Sequence, residues 1–168
     1  MLPHIAYIQI GTNMGDRFAS LNQARQLLSG EKLTIKNSSS IYETAAWGQI
    51  PQPDFLNQII CIHTSWNPDE LMQHLLATEK KMGRIRTEKK GPRVIDLDIL
   101  FFDDLILSSE IVTIPHPLLQ ERRFILEPMV ELDPDFIHPV FKKSCIELLQ
   151  TCEDPLPVKK WIAEQKIS

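Results

Sequence analysis

The sequence predicts an α+β fold, with helices on one face of a mainly antiparallel sheet in ferredoxin-like order. Three observations lead there. β-rich runs recur at His4 to Ile10, Leu33 to Glu43, Phe55 to Thr64 and Val94 to Phe102. Two stretches of helical period, Phe18 to Leu28 and Asn67 to Met82, separate them as strand, helix, strand, strand, helix, strand. The 168 residues contain no internal repeat or linker, so one domain over 1–168 is expected.

The elements can be justified in turn. His4-Ile5-Ala6-Tyr7-Ile8-Gln9-Ile10 is a mostly apolar strand, and Gly11-Thr12-Asn13-Met14-Gly15-Asp16 carries residue types suited to turns and caps. Phe18, Leu21, Ala24, Leu27 and Leu28 then fall on one side of a helix that Gly30 stops. Leu33 to Glu43 reads as one polar, β-branched edge strand. Trp47, Gly48, Pro51 and Pro53 keep Thr44 to Asp54 irregular. After the strand Phe55 to Thr64, Asn67-Pro68-Asp69-Glu70 starts a helix, with proline in the first turn and acids at the positive dipole end. Gly83 ends it, and the basic stretch Arg84 to Arg93 leads into the strand Val94 to Phe102. Further on, a hairpin is expected from Leu105–Leu107 and Glu110–Ile114, then a break at Pro115-His116-Pro117. Leu118 to Glu131 reads as a helix in two pieces broken near Pro128, Cys145 to Thr151 as a last helix, and Glu153 to Ser168 as a loosely packed tail.

Composition narrows the function. The net charge of −4 argues against an extended nucleic-acid or anionic-membrane surface, so any anion site must be a local basic cluster. The three cysteines, Cys61, Cys145 and Cys152, have neither zinc-site spacing nor an even count, which fits a reducing cytoplasm. No leader pattern opens the chain, and no apolar run is long enough to span a membrane. A cytoplasmic monomer is expected.

The sharpest chemical feature is Ile95-Asp96-Leu97-Asp98-Ile99-Leu100. In a strand, alternate side chains share a face, so Asp96 and Asp98 point one way and Leu97 and Ile99 the other. Two adjacent carboxylates repel and resist burial unless a cation neutralises them, and Mg²⁺ with phosphate oxygens completes such a shell well. The bland alternative is the solvent-facing side of an edge strand. Arg84, Arg86, Lys89, Lys90 and Arg93 crowd just before the pair, as a phosphate clamp would, and Gly91-Pro92 shapes the turn between them. His116, stiffened between two prolines, can donate to a phosphate oxygen, although a lone histidine is more often structural. At least one of Arg122 and Arg123 is a candidate anion binder. Phe55 and Phe124 can sandwich a flat heterocycle whose edge Asn57 reads, although on residue type alone both phenylalanines are better placed in the core. No GxxxxGK[ST] loop or protein-kinase motif set is present. Rivals to a phosphoryl-type transferase are a metal-dependent nucleotidyl transferase or nuclease, against which the acidity argues, and a non-enzymatic binding module of the same fold.

Lys89-Lys90-Gly91-Pro92-Arg93-Val94-Ile95-Asp96-Leu97-Asp98-Ile99-Leu100 resembles the signature of the 6-hydroxymethyl-7,8-dihydropterin pyrophosphokinases of folate synthesis. Tyr7 to Asp16, Tyr42-Glu43-Thr44, Asp54-Phe55-Leu56-Asn57, Glu79 with Gly83-Arg84, Ile114-Pro115-His116 and Arg122-Arg123-Phe124 follow in the family's order and spacing. The chain departs from the pattern at Lys90, at Ala45-Ala46-Trp47 and at Pro117. The resemblance implies an α/β/α sandwich and transfer of pyrophosphate from ATP to the pterin's hydroxymethyl oxygen, with AMP leaving. It also implies two Mg²⁺ ions on Asp96 and Asp98, with Arg84 and Arg93 joining them in catalysis. ATP-side positions would be Glu79, Arg84, Arg93, Ile99, Thr113, His116 and Arg122. Pterin-side positions would be Thr44, Trp47, Phe55, Asn57 and Phe124. The loops Arg84 to Gly91 and Thr44 to Asp54 would be mobile lids.

Overall fold

The computed structural model of the chain describes residues 2–48, 50–85 and 91–162. Its elements run β1 (His4–Thr12), α1 (Arg17–Leu28), β2 (Leu33–Ser38), β3 (Tyr42–Thr44), β4 (Phe55–Thr64), α2 (Pro68–Lys81), β5 (Asp96–Phe102), β6 (Leu107–Ser108), β7 (Thr113–Ile114), α3 (Arg123–Leu132), α4 (Cys145–Gln150) and β8 (Val158–Lys160). One antiparallel sheet is ordered β5-β1-β4-β3-β8, with β2 also on β4, and β6 and β7 form a separate hairpin. β1 is buried from Ala6 onward because β4 and β5 flank it and helices cover it. This is the expected ferredoxin-like order.

The layering differs from what element order alone indicated. α1 and α2 bury Leu21, Leu28, Leu71 and Leu75 against Ile8, Ile10, Leu56, Ile60, Leu97 and Ile99. On the opposite face α3 and α4 bury Ile125, Leu126, Met129 and Leu148 against Tyr7, Ile59, Leu100 and Phe101. Helices therefore cover both faces, giving the α/β/α sandwich. A register shift helps build the second layer. Tyr7 pairs with Phe101 and Ile8 with Ile99, so Leu100 is an extra residue. The bulge lets both Leu100 and Phe101 join the α3 side, while Phe102 returns to the α1 side.

Local chemistry explains the helix starts. Asp16 caps α1 by accepting from the Ala19 amide at 3.0 Å. Asn67 and Glu70 form a reciprocal capping box on α2. Three segments depart from the sequence reading. Leu33 to Glu43 is two strands, because Ser38-Ser39-Ser40 offers hydroxyls that compete with the ladder. Ser39 Oγ accepts from the Ile59 amide at 3.0 Å, and Gln58 Nε2 donates to the Ser39 carbonyl at 2.8 Å. The break in Leu118 to Glu131 falls at Arg122, between a 3-10 turn (Leu119–Glu121) and α3, and not near Pro128. Pro128 lies inside α3. It removes one amide, while Ile125, Leu126 and Met129 around it are fully buried and hold the helix together.

The tail is not loose as far as Trp161. β8 pairs with β3 as a new sheet edge. Glu131 of α3 accepts from Tyr42 Oη at 2.9 Å and from the Ser40 amide, and lies 3.4 Å from Lys160 Nζ. Asp154 accepts from the Arg123 amide at 2.9 Å, and the Trp161 ring lies 5.4 Å from Phe18, which explains that half-exposed phenylalanine. Among the described residues no helix is long and apolar enough to cross a membrane.

Candidate active site

The side chains of β1, β4 and β5 that face α3 change character along the strands. Tyr7, Ile59 and Phe101 lie under the helix. Farther along the same face come Gln9 and Gly11 of β1, Asn57 and Phe55 of β4, Thr44 of β3, and Asp96 and Asp98 of β5. These residues line a cavity of roughly 280 Å³ together with Ala45, Trp47, Gln52, Arg84, Arg93, Arg122 and Phe124. The floor is sheet, and loops together with the first turn of α3 make the walls.

One end of the cavity is charged. Asp96 Oδ1 accepts from Arg84 Nη1 at 2.9 Å, and Asp96 Oδ2 from Arg93 Nη1 at 3.1 Å. The same Arg84 Nη1 donates to Glu79 Oε2 at 2.6 Å, and that oxygen also takes the Leu97 amide at 2.9 Å. Glu79 is only 2% exposed, so Arg84 bridges a buried carboxylate and a cavity carboxylate. Asp98 has no hydrogen-bond partner among the described residues. Burial first, then repulsion from Asp96 and Glu79, pushes its carboxyl up to about 7 against the pull of Arg84 and Arg93.

The residues fit a divalent cation. Two carboxylates share one face, one of them held by arginines and the other left with an uncompensated cost of ionisation that a cation would remove. Among the described residues no third acid, histidine or cysteine joins them, so other oxygens must complete a shell. His116 is not among the residues lining the cavity; its amide donates to the Leu100 carbonyl at 2.9 Å, and its ring is within electrostatic reach of Asp96 and Arg122. Burial, and next the charge of Arg122, lower its pKa to about 4 against the pull of Asp96. Its Nδ1 accepts from the Leu118 amide at 3.2 Å, so the neutral ring carries its proton on Nε2 as a donor.

The other end is neutral but for Arg122. Asn57 Nδ2 donates to Thr44 Oγ1 at 2.6 Å, and Asn57 Oδ1 accepts from Gln9 Nε2 at 3.2 Å. Phe55, Phe124 and Trp47 supply apolar surface. The Arg122 guanidinium carbon lies 5.6 Å from the Trp47 ring centre and 5.8 Å from that of Phe124. Gly11 is required by close approach: a Cβ there would stand 2.8 Å from Asn57 Oδ1. Asn13 joins the two wall segments. Its Nδ2 donates to Gln52 Oε1 and to the Pro53 carbonyl, both at 2.9 Å, and its Oδ1 accepts from the Arg93 amide at 2.8 Å.

A family model described as 7,8-dihydro-6-hydroxymethylpterin-pyrophosphokinase (HPPK) matches residues 7–134. The chain belongs to the HPPK family. A relative from Synechocystis sp., "2-amino-4-hydroxy-6-hydroxymethyldihydropteridine pyrophosphokinase", is 40% identical over 148 residues, which cover 88% of this chain and 75% of that one. "Folic acid synthesis protein fol1" of Schizosaccharomyces pombe is 41% identical over 154 residues, covering 91% of this chain; the chain spans only 20% of that longer protein. The crystal structure of Plasmodium falciparum HPPK-DHPS with pterin and p-hydroxybenzoate superposes with a TM-score of 0.70 at 17% identity, over 88% of this chain and 42% of that one. At that identity the likeness speaks for the fold.

Against the HPPK signature, the structure gathers most of the expected site residues. Thr44, Trp47, Phe55, Asn57, Arg84, Arg93, Asp96, Asp98, Arg122 and Phe124 line one cavity. Glu79 lies behind it, tied through Arg84. The side chain of Ile99 is buried on the α1/α2 face, so only its backbone can meet a ligand, and Thr113 is exposed on β7. Arg123 turns away: it donates to the Asp154 and Cys152 carbonyls at 3.1 and 3.0 Å. Arg86, Lys89 and Lys90 lie outside the described residues, as does most of the expected Arg84 to Gly91 lid. The sequence reading passed over Gln9, Gly11, Gln52 and Asn13. Gln9 had left a signal, a lone amide inside an apolar strand.

Proposed function

We propose that this site transfers the pyrophosphoryl group of ATP to the hydroxymethyl oxygen of 6-hydroxymethyl-7,8-dihydropterin, giving the pterin diphosphate and AMP in folate synthesis. The observation that carries the reading is the two-ended cavity, with acids and arginines at one end, an amide, a hydroxyl and aromatic rings at the other, and one sheet floor between. Family membership supports the chemistry. Elements from His4 to Lys160 contribute to one sheet, which supports treating the chain as a single pyrophosphokinase domain.

In this reading Asp96 and Asp98 hold two Mg²⁺ ions, which when bound would neutralise charge on the phosphates. Arg84 and Arg93 orient Asp96 and offer their remaining N–H groups to phosphate oxygens. Arg122 sits between the two ends and can serve the nucleotide, and neutral His116 donates from Nε2. Phe55 and Phe124 stack on the pterin, Trp47 borders them, and Asn57 with Thr44 reads the ring edge. Glu79 holds Arg84 in place on the ATP side, and Ile99 and Thr113 are assigned there by resemblance. We read the enzyme as a monomer working in the cytoplasm.

The test is to mix the protein with Mg²⁺, ATP and the dihydropterin and to separate the products. AMP and pterin diphosphate are expected. ADP with a pterin monophosphate would overturn the pyrophosphoryl assignment, and titration showing no binding of Mg²⁺-ATP would favour a non-enzymatic module.

A further inference from the structure

Gln9 occupies a position that the site's expected chemistry leaves unexplained. It lies on the central strand, faces the cavity and is only 7% exposed. On one side it pairs in register with Asp98 of β5; on the other its amide reaches Asn57 of β4. It is therefore the floor residue between the charged end and the neutral end.

Asn57 faces the cavity, where a carboxamide is held by the hydrogen bonds its two ends make. Thr44 can hold only one of those ends. Gln9 Nε2 gives Asn57 Oδ1 a donor at 3.2 Å, and Asn57 Nδ2 then donates to Thr44 Oγ1 at 2.6 Å. Gly11 leaves the room the Asn57 amide occupies, because a Cβ there would stand 2.8 Å from Oδ1. All three amide and hydroxyl side chains are buried, where an unmade hydrogen bond is costly, so the Asn57 amide is held at both ends.

We infer that Gln9 is a positioning residue that holds the Asn57 amide from the β1 side, so that its hydrogen-bonding groups are fixed in place before a ligand arrives. Held at both ends, Asn57 still has one Nδ2–H and one Oδ1 lone pair to offer. Those groups complement a ring edge bearing a carbonyl beside an N–H, which is the lactam edge of a pterin. The inference rests on the proposed function and adds how the reading group at the pterin end is held in place.

Two variants test it. Gln9→Met keeps the length of the side chain and removes both donor and acceptor, and Gln9→Leu serves if the thioether variant folds poorly. Titration calorimetry with 6-hydroxymethyl-7,8-dihydropterin, and separately with Mg²⁺-ATP, should show the pterin Kd raised about tenfold and the nucleotide Kd within twofold of wild type, as loss of one buried hydrogen-bonded lock implies. Side-chain amide spectra of ¹⁵N-labelled ligand-free protein should show the Asn57 pair shifted and exchanging faster in the variant. An unchanged pterin Kd, parallel losses for both ligands, or unaltered Asn57 amide signals would overturn the lock. Failure of the wild-type protein to bind the dihydropterin would overturn the functional reading instead, and the ligand-free spectra would still decide whether Gln9 holds Asn57.

Discussion

The face of the sheet beneath α3 holds two regions built by the same strands. Where the helix lies over them, β1, β4 and β5 present Tyr7, Ile59 and Phe101, the last two at most 1% exposed. Two residues or so along, where the helix no longer covers them, they present Gln9, Asn57 and Asp98. Backbone pairing runs through both regions, unbroken between β1 and β4 and interrupted only by the one-residue bulge at Leu100 between β1 and β5. The difference lies in what each face is asked to exclude. The covered half gains by removing apolar surface from water. The open half gathers polar groups whose mutual repulsion, above all at Asp98, is left for a ligand to relieve. Stability and chemistry are thus separated along one strand by a few ångströms.

Substitutions should respect that boundary, and the largest effect is expected at the open end. Asp98→Ala should lower turnover by at least about 10³-fold, the scale set by loss of a charge-stabilising group, with circular dichroism and Tm preserved. Near-normal turnover would remove Asp98 from the metal site. Next, Phe101→Ala in the covered half should cost about 3–5 kcal/mol in denaturant unfolding, while the folded fraction binds Mg²⁺-ATP as wild type does. A nucleotide-affinity loss larger than the stability loss would dissolve the distinction between the halves.

Smaller effects sharpen the comparison within the cavity. Gly11→Ala forces Asn57 Oδ1 away from a Cβ that would stand at 2.8 Å. About a tenfold loss of pterin affinity is expected, the scale of one buried hydrogen bond, with nucleotide affinity unchanged by titration. Phe124→Ala should weaken pterin binding more than nucleotide binding, by roughly tenfold for a lost aromatic contact; equal losses would make Phe124 a packing residue only.

The smallest effect is on the pH dependence of stability without metal. The folded-state pKa of Asp98 is raised to about 7, above the ordinary carboxylate range. Between about pH 4 and 7 the folded state therefore binds the extra proton, and stability falls as pH rises through this window. His116, lowered to about 4, acts in the opposite sense: its contribution is present above the ordinary histidine range and is lost as pH falls toward 4. The difference between wild type and Asp98→Asn isolates the first. The variant should have the higher Tm at pH 8 and lose that advantage toward pH 4. A difference independent of pH would show Asp98 to be ionised freely in the fold.

Much of this was legible along the chain, for physical reasons that are local. Alternation placed Asp96 and Asp98 on one face and Leu97 and Ile99 on the other, as found. The period of 3.6 and the Asn67 to Glu70 capping pattern located α2 to within a residue or two. What failed depended on partners distant in sequence. The serines that split Leu33 to Glu43 do so by bonding to Gln58 and Ile59. Val158 to Lys160 is a strand only because β3 offers an open edge. Arg122 and Arg123 are neighbours in sequence, yet one enters the cavity and the other is taken by the tail carbonyls. Gln9 reads as an odd polar residue in an apolar strand until β4 and β5 bring Asn57 and Asp98 to its sides. The sequence alone determined which side chains could share a face, because backbone geometry repeats every two or 3.6 residues. Which faces meet, which end stays open and which cation serves which carboxylate were settled only in three dimensions, because those choices depend on packing and charge between segments that can lie more than a hundred residues apart.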